Sequence, residues 1–351
     1  MITVIIAGGS GTRLWPISTS DYPKHLLKLT GDKSLLQSAY ERAARLGDVV
    51  YVVTEASHAS HVKDQLPELS DDKFLIEPGR RGTAHCILFA LDYIARSHDH
   101  DEPVAFIHSD HHIRDIEGFV RSFGIAGNMS RERKEISLIG IEPTYAATGF
   151  GYIERNEVLD AERGVSLVQS FKEKPDYETA QKYLESGKYV WNAGYFVGSV
   201  RTFLEEIANS APDLQESYTR LSAISEHSCE EYNNAYLELD NQVIDVALIE
   251  KARGLSVVAA SFDWVDVGSF KDLHDTVVQD EKGNHVQGDN IHAIDVENTY
   301  IRNETDTPVA VIGLDNVVVV NTPNGIVVAR KDMSPRVGEI AKKIAAQKEG
   351  K

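Results

Sequence analysis

From Ile2 to Ile141 short apolar runs alternate with amphipathic stretches. Ile2–Ala7, Val49–Val53, Lys73–Ile76, Pro103–Ile107 and Ile136–Ile141 are rich in β-branched and apolar residues, the pattern of strands buried on both faces. Between them, Leu35, Leu36, Ala39, Tyr40, Ala43 and Leu46 fall at helical spacing. Ala84, Ile87, Leu88, Leu91 and Ile94 do the same within Thr83–Ala95, and a further helix is predicted from about Glu117 to Met129. Strands alternating with helices predict an α/β fold whose sheet is mostly parallel, with helices on both faces. Ligands of such sheets sit beyond the carboxyl ends of the strands. The polar stretches there are Gly8–Arg13, Glu77–Thr83 and His108–His111.

From about Thr148 the pattern changes. Gly151-Tyr152-Ile153 and Val165–Phe171 read as an antiparallel pair, followed by a helix around Tyr177–Leu184. Residues 200–252 read as helical and charged, and Leu255–Ala260 and Phe262–Val265 return to strand. Between residues 283 and 330 very short β-branched runs are separated by Gly, Asn and Asp, the texture of a short β-solenoid or a small sandwich. A helix from about Val337 to Gln347 follows. The boundary falls near residue 280, giving a domain over 1–280 and a β-rich one over 281–351.

Composition narrows the function. The 351 residues carry a net charge of −18, which argues against nucleic-acid or anionic-membrane binding, since both need a cationic surface. A phosphate ligand then needs a local cluster of cations. The two cysteines, Cys86 and Cys229, form no disulfide framework, and no run approaches the length of a membrane span. With no secretory leader in the reading, a cytoplasmic protein is expected.

Five stretches offer chemistry. Gly8-Gly9-Ser10-Gly11-Thr12-Arg13 ends the first strand with backbone N–H groups unobstructed by Cβ atoms and a cationic fork suited to phosphate, with Lys24 and Lys28 beyond. It lacks the third glycine of a dinucleotide fingerprint and the Gly-Lys-Ser/Thr of a Walker loop. His108-Ser109-Asp110-His111-His112 places a carboxylate at a strand end; hard-oxygen chemistry with Mg²⁺ fits it better than a four-ligand zinc site. Asp266 is either a helix cap or a second carboxylate on the same metal. Phe171-Lys172-Glu173-Lys174-Pro175 and Trp191-Asn192-Ala193-Gly194 supply a charged strand end and an amide beside a close-approach glycine.

AGGSGTRLWP…YPKHLLKL, EPGRRGTA, SDHHI, GYI, FKEKPD, WNAGYF, VIDVALIEKA and WVDVGSF occur in this order. Together they resemble the nucleoside-diphosphate-sugar pyrophosphorylases, and among these the bacterial mannose-1-phosphate guanylyltransferases, over nearly the whole chain. The resemblance implies a Rossmann-like mixed sheet and a β-helical C-terminal domain, without the isomerase domain of longer members. It implies that Gly8, Gly9 and Gly11 approach the nucleotide, that Arg13 holds its β- and γ-phosphates and that Lys24 neutralises charge at the reacting α-phosphate. Asp110 and Asp266 would hold Mg²⁺. Gly151, Glu173 and Asn192 would bind the sugar and Lys174 its phosphate. Ser109 and the region Glu77 to Thr83, with Gly82, would serve the nucleotide; beyond the resemblance, the guanine ring N–H and amino group need an acceptor, and Glu77 is the expected one.

The implied reaction transfers a guanylyl group from GTP to mannose 1-phosphate. His108-Ser109, Gly82-Thr83-Ala84-His85 and Ala193-Gly194-Tyr195 depart from the family's usual Pro-Ala, Asn-Thr-Ala-Pro and Ser-Gly-Met. Another sugar phosphate or base, or a non-catalytic regulatory subunit, therefore stands as the alternative. The β-rich tail is expected to pack on the catalytic domain or to mediate a homodimer.

Overall fold

Ile2–Ala7 forms strand β1 with every residue buried. β2 (Val49–Glu55), β3 (Phe74–Glu77) and β4 (Pro103–His108) run parallel in the order β3-β2-β1-β4. The computed structural model describes residues 1–9 and 11–349; Ser10 of the glycine loop lies outside them. Helices α1 (Leu35–Ala43), α2 (Ala59–Gln65) and α3 (Gly82–Ala95) connect these strands. β3 starts one residue later than predicted because Asp71–Lys73 close a 3-10 turn.

After the two-residue strand β5 (His111–His112) comes α4 (Ile116–Arg133), longer than predicted at both ends. Asp115 caps it by accepting from the Gly118 N–H at 2.9 Å, and Lys134 ends it in the left-handed conformation. β6 (Ile136–Ile141) is again fully buried. β7 (Tyr152–Asp160) and β8 (Val165–Lys172) form the expected antiparallel pair, followed by α5 (Tyr177–Ser186). β9 (Tyr189–Ser199) then inserts antiparallel to both β4 and β6. With β8, which runs antiparallel to its neighbours, this reversed strand makes the sheet mixed; its place between β4 and β6 is not revealed by the strand–helix alternation of the first half. The nine strands run β3-β2-β1-β4-β9-β6-β10-β8-β7.

Residues 200–252 contain α6 (Val200–Ser210), α7 (Pro212–Ser222), α8 (Glu230–Leu237) and a π-helical turn, Asp245–Ile249. β10 (Leu255–Ala259) completes the sheet. The expected strand over Phe262–Val265 is a loop up to Trp264. The Asp263 carboxylate accepts from the backbone N–H groups of Arg114 and Asp115 at 2.9 and 2.8 Å, holding that stretch in side-chain hydrogen bonds instead of a ladder. Phe89, Phe106, Phe203, Tyr232 and Tyr236 are wholly buried in the core of this first unit, each contributing about 2–3 kcal/mol of transfer free energy.

A second compact unit gathers Gly8–Ser38, Asp110–His112 and the chain from Val265 onward. In it β11 (Val265–Asp266) pairs with β5, and α9 (Phe270–Thr276) follows. The tail is a solenoid, not a sandwich. β12 (His285–Gln287), β14 (Tyr300–Asn303) and β16 (Val317–Thr322) stack in parallel, as do β13 (Ile291–Ile294) and β15 (Val309–Ile312). Val296, Ile301, Val311 and Val319 fill the coil. The Asn and Asp residues of the tail have two uses: Asn290, Asp295, Asn298 and Asn316 turn corners at positive φ, and buried Asn321 donates to Asn303 at 3.0 Å. β17 (Gly325–Arg330) closes the coils as an antiparallel hairpin, and α10 (Val337–Glu349) ends the described chain. No helix among the described residues is long and apolar enough to cross a membrane.

Candidate active site

Gly8, Gly9, Gly11, Arg13, Lys24, Asp110 and Asp266 belong to the second unit, and Gly151, Glu173, Lys174 and Asn192 to the first, which also holds Glu77, Gly82, Thr83 and Ser109. In the second unit, Gly8 and Gly9 have open space where a side chain would stand, with no described atom within 4 Å. Gly11 is different. At φ +55 a Cβ there would lie 2.6 Å from Lys24 Cβ and 2.9 Å from the Lys24 backbone nitrogen, so only glycine lets the loop close onto this lysine. Thr12–Leu14 continue as a 3-10 turn that leaves Arg13 exposed. The Arg13 guanidinium lies against Gly268, where a Cβ would be 3.4 Å from Nη1.

Lys24 is the centre of this group. Its buried Nζ stands 2.9 Å from Asp110 Oδ2 and 2.9 Å from Asp266 Oδ1. Burial alone would lower its pKa, but Asp110 and Asp266 outweigh that and hold it above the ordinary lysine value. Burial likewise pushes the Asp266 carboxyl up, and the Lys24 charge wins and holds it below the usual carboxylate range. The β5–β11 ladder sets this geometry: Asp266 pairs with His111, next to Asp110. Two carboxylates therefore converge on one cation. Two carboxylates are hard oxygen donors of the kind a divalent metal ion takes. Among the described residues no group of three or more His, Cys, Asp or Glu could hold a metal, which a protein-only zinc site would require.

In the first unit Gly151, Glu173 and Asn192 come together. A Cβ on Gly151 would lie 2.7 Å from Glu173 Oε2 and 3.4 Å from Asn192 Cβ. The Asn192 backbone N–H donates to the Gly151 carbonyl at 2.8 Å. Its side-chain amide is pinned at both ends: Oδ1 accepts from the Gly194 N–H at 3.0 Å and Nδ2 donates to Asp245 Oδ1 at 2.7 Å. Lys174 Nζ reaches Glu173 Oε1 at 2.5 Å. Asp245 was not among the residues singled out from the sequence. It opens the π-helical turn, a distortion that recurs at functional sites, and the only sequence signal for it is the stretch VIDVALIEKA. Burial, then the nearby Glu173 charge, pushes the Asp245 carboxyl up to about 6.

The residues expected near the base have internal partners. Buried Glu77 accepts from the Tyr236 hydroxyl at 2.5 Å and from the Arg81 backbone N–H; burial raises its pKa against both. Tyr236 and Arg81 hold the carboxylate in place at the end of β3. Gly82, at φ +82, has the Gln242 carbonyl where a Cβ would go, and Thr83 Oγ1 accepts from the Ile244 N–H at 3.0 Å. Both therefore grip the segment that leads into Asp245. Ser109 donates its backbone N–H to the Ile6 carbonyl at 3.1 Å, and its hydroxyl is buried without a partner among the described residues.

Residues 2–283 match the nucleotidyl transferase family, and residues 288–344 match the MannoseP isomerase/GMP-like beta-helix domain. The mannose-1-phosphate guanylyltransferase of Escherichia coli is 32% identical over 97% of this chain and 75% of its own length. The alginate biosynthesis protein AlgA of Pseudomonas aeruginosa is 35% identical over 99% of this chain and 73% of its own. A crystal structure described as a mannose-1-phosphate geranyltransferase, from Thermus thermophilus, matches with a TM-score of 0.87 at 28% identity, covering 98% of this chain and 99% of that one.

Proposed function

This chain belongs to the nucleotidyl transferase family, and from that premise we propose that it transfers the guanylyl group of GTP to α-D-mannose 1-phosphate, giving GDP-mannose and pyrophosphate. The observation that carries the mechanism is the buried Lys24 ammonium shared by Asp110 and Asp266 at 2.9 Å each. Nucleotidyltransferases of this family generally use a divalent metal. We assign Mg²⁺, held by Asp110 and Asp266; when bound it supplies Lewis-acid charge at the phosphate oxygens.

A phosphate oxygen of mannose 1-phosphate forms the new bond to the α-phosphorus of GTP. The bond from that phosphorus to the bridging oxygen breaks, and the electron pair leaves with pyrophosphate. The nucleophile is already an anion, so no general base is needed, and the protein's work is positioning and charge stabilisation. Arg13 holds the β- and γ-phosphates through its planar fork, over the unobstructed backbone of Gly8 and Gly9. Lys24 has three N–H donors. Two are on Asp110 and Asp266, and we assign the third to an α-phosphate oxygen. Glu173 and Asn192 take the sugar hydroxyls beside Gly151, and Lys174 its phosphate. Asp245 fixes the Asn192 amide, while Gly82 and Thr83 fix the segment before Asp245. In this reading residues 1–280 form the catalytic domain and residues 281–351 the β-helical one.

Pure protein incubated with GTP, Mg²⁺ and mannose 1-phosphate should release pyrophosphate and form GDP-mannose. A panel of nucleotides and sugar phosphates ranks the substrates by kcat/KM. Preference for another pair would replace the substrates named here, and no turnover with any pair would overturn the enzymatic reading.

A further inference from the structure

The residue assigned to the triphosphate, Arg13, lies in the matched nucleotidyl transferase segment, yet the surfaces that hold its loop come from the tail. Gly8–Ser38 and the chain from Val265 onward form one compact unit. Within it the stem of Arg13 crosses Gly338 near the start of α10: a Cβ at Gly338 would stand 3.0 Å from Arg13 Cγ and 3.7 Å from its Cα. Trp15 and Pro16, just beyond, are held by the last hairpin of the solenoid. A Cβ at Gly325 would meet the Trp15 ring at 2.7 Å, so the indole lies flush on that backbone. The Pro16 carbonyl accepts from Asn324 Nδ2 at 3.2 Å and from Thr322 Oγ1 at 3.3 Å. Below them Leu14, Ile17, Val318, Val320 and Val337 share one buried cluster.

A tail serving only to cover apolar surface would need the cluster alone. Here a bare backbone position lies under the arginine stem, and two side-chain donors converge on a single carbonyl three residues beyond it. Among the described residues Arg13 has no ion-pair partner, so its direction is set by packing, with Gly338 along its stem and Gly268 at its guanidinium. A guanidinium meant to meet phosphates in a fork geometry loses most of its advantage when its base can swing.

We propose that the C-terminal tail is part of the triphosphate-binding machinery, with Gly338 and the Thr322–Gly325 turn acting as positioning residues for Arg13. This rests on the reading above, in which Arg13 holds the β- and γ-phosphates. A tail element then determines GTP use and leaves sugar-phosphate use alone.

The test is a double-mutant cycle on the full chain, with KM for GTP and for mannose 1-phosphate measured separately and folding followed by thermal unfolding. Gly338→Leu should raise the KM for GTP about tenfold with little change in the sugar-phosphate KM. In an Arg13→Ala background the same change should add almost nothing, because the group it displaces is gone. Where Gly338→Leu unfolds the protein, the pair Thr322→Val and Asn324→Ala replaces it, removing only the donors to Pro16, with an expected rise of about threefold. Equal effects with and without Arg13, or a parallel rise in both KM values, overturn the inference and leave the role of Arg13 standing. An unchanged GTP KM in Arg13→Ala alone overturns that role and the inference with it.

Discussion

The carboxylate cluster around Lys24 and the one around Asn192 handle charge in opposite ways. At Lys24 two carboxylates share a buried ammonium, and the attraction overrides burial in both directions: the lysine is held above its ordinary value and Asp266 below its own. At Asn192 burial, and then the like charge of Glu173, outweigh the amide donor and push the Asp245 carboxyl up to about 6. Lys24 and Asp266 are held in their charged forms across the neutral range, which in the proposed function suits cations and phosphates. Asp245 lies within reach of titration, which in the proposed function suits hydrogen bonds to sugar hydroxyls whose direction matters. One chain can hold both because each cluster is set by its own immediate neighbours.

The strongest test of this contrast removes a charge from the locked cluster. Asp110→Asn and Asp266→Asn should each lower turnover on the order of a thousandfold and weaken its metal dependence. Pyrophosphate release measured against Mg²⁺ concentration checks this, and wild-type rates in both variants would take these residues out of the metal site. Lys24→Met comes next. It leaves two carboxylates converging on an apolar side chain, and should cost about 2 kcal/mol of stability, less than a fully buried pair because both carboxylates reach solvent. Adding Asp110→Asn should recover part of that loss in a urea titration. No recovery would mean that the lysine supports the fold by packing alone.

Much of the first half of the fold was legible, because buried parallel strands and amphipathic helices leave unlike periodicities in the chain. The reversed β9 was not, since a buried strand reads the same in either direction. In the site, the types of group were legible and their partners were not. Lys24 and Asp266 are 242 positions apart, Glu77 and Tyr236 are 159 apart, and only the sheet topology brings them together. Asp245 was hidden in a charged helical stretch because a π-helical turn changes which residue faces inward without changing the composition. The Asn-rich texture of the tail announced turns and left solenoid and sandwich equally open, because either fold needs such corners.

A smaller effect is expected when the titratable cluster is neutralised. Asp245→Asn keeps the shape of the carboxyl and removes its charge, so the Asn192 amide exchanges a charged acceptor for a weaker neutral one. The kcat/KM for mannose 1-phosphate should fall about tenfold at neutral pH. The acidic limb of its pH profile, which in the wild type rises through about 6, should flatten. Values for GTP should hardly move. An unaltered acidic limb in the variant would assign that limb to another group.

The smallest effect separates the clusters by stability alone. Asp266 has a folded pKa below its unfolded value, so its contribution is present above the ordinary carboxylate range and is lost as pH falls through the lowered value. Lys24 is raised, so its contribution is complete below 10.5 and constant across neutral pH. Asp245 runs the other way. Between 3.8 and about 6 the folded state binds its proton more tightly than the unfolded chain does, so this group makes stability decline as pH rises through that window. Unfolding midpoints taken across the window should therefore show a shallower decline, or a steeper rise, in Asp245→Asn than in the wild type. The two curves should then run parallel below 3.8, where Asp266 and the other paired carboxylates dominate. Parallel curves throughout would mean that Asp245 titrates no differently in the folded protein, and the contrast between the clusters would reduce to geometry.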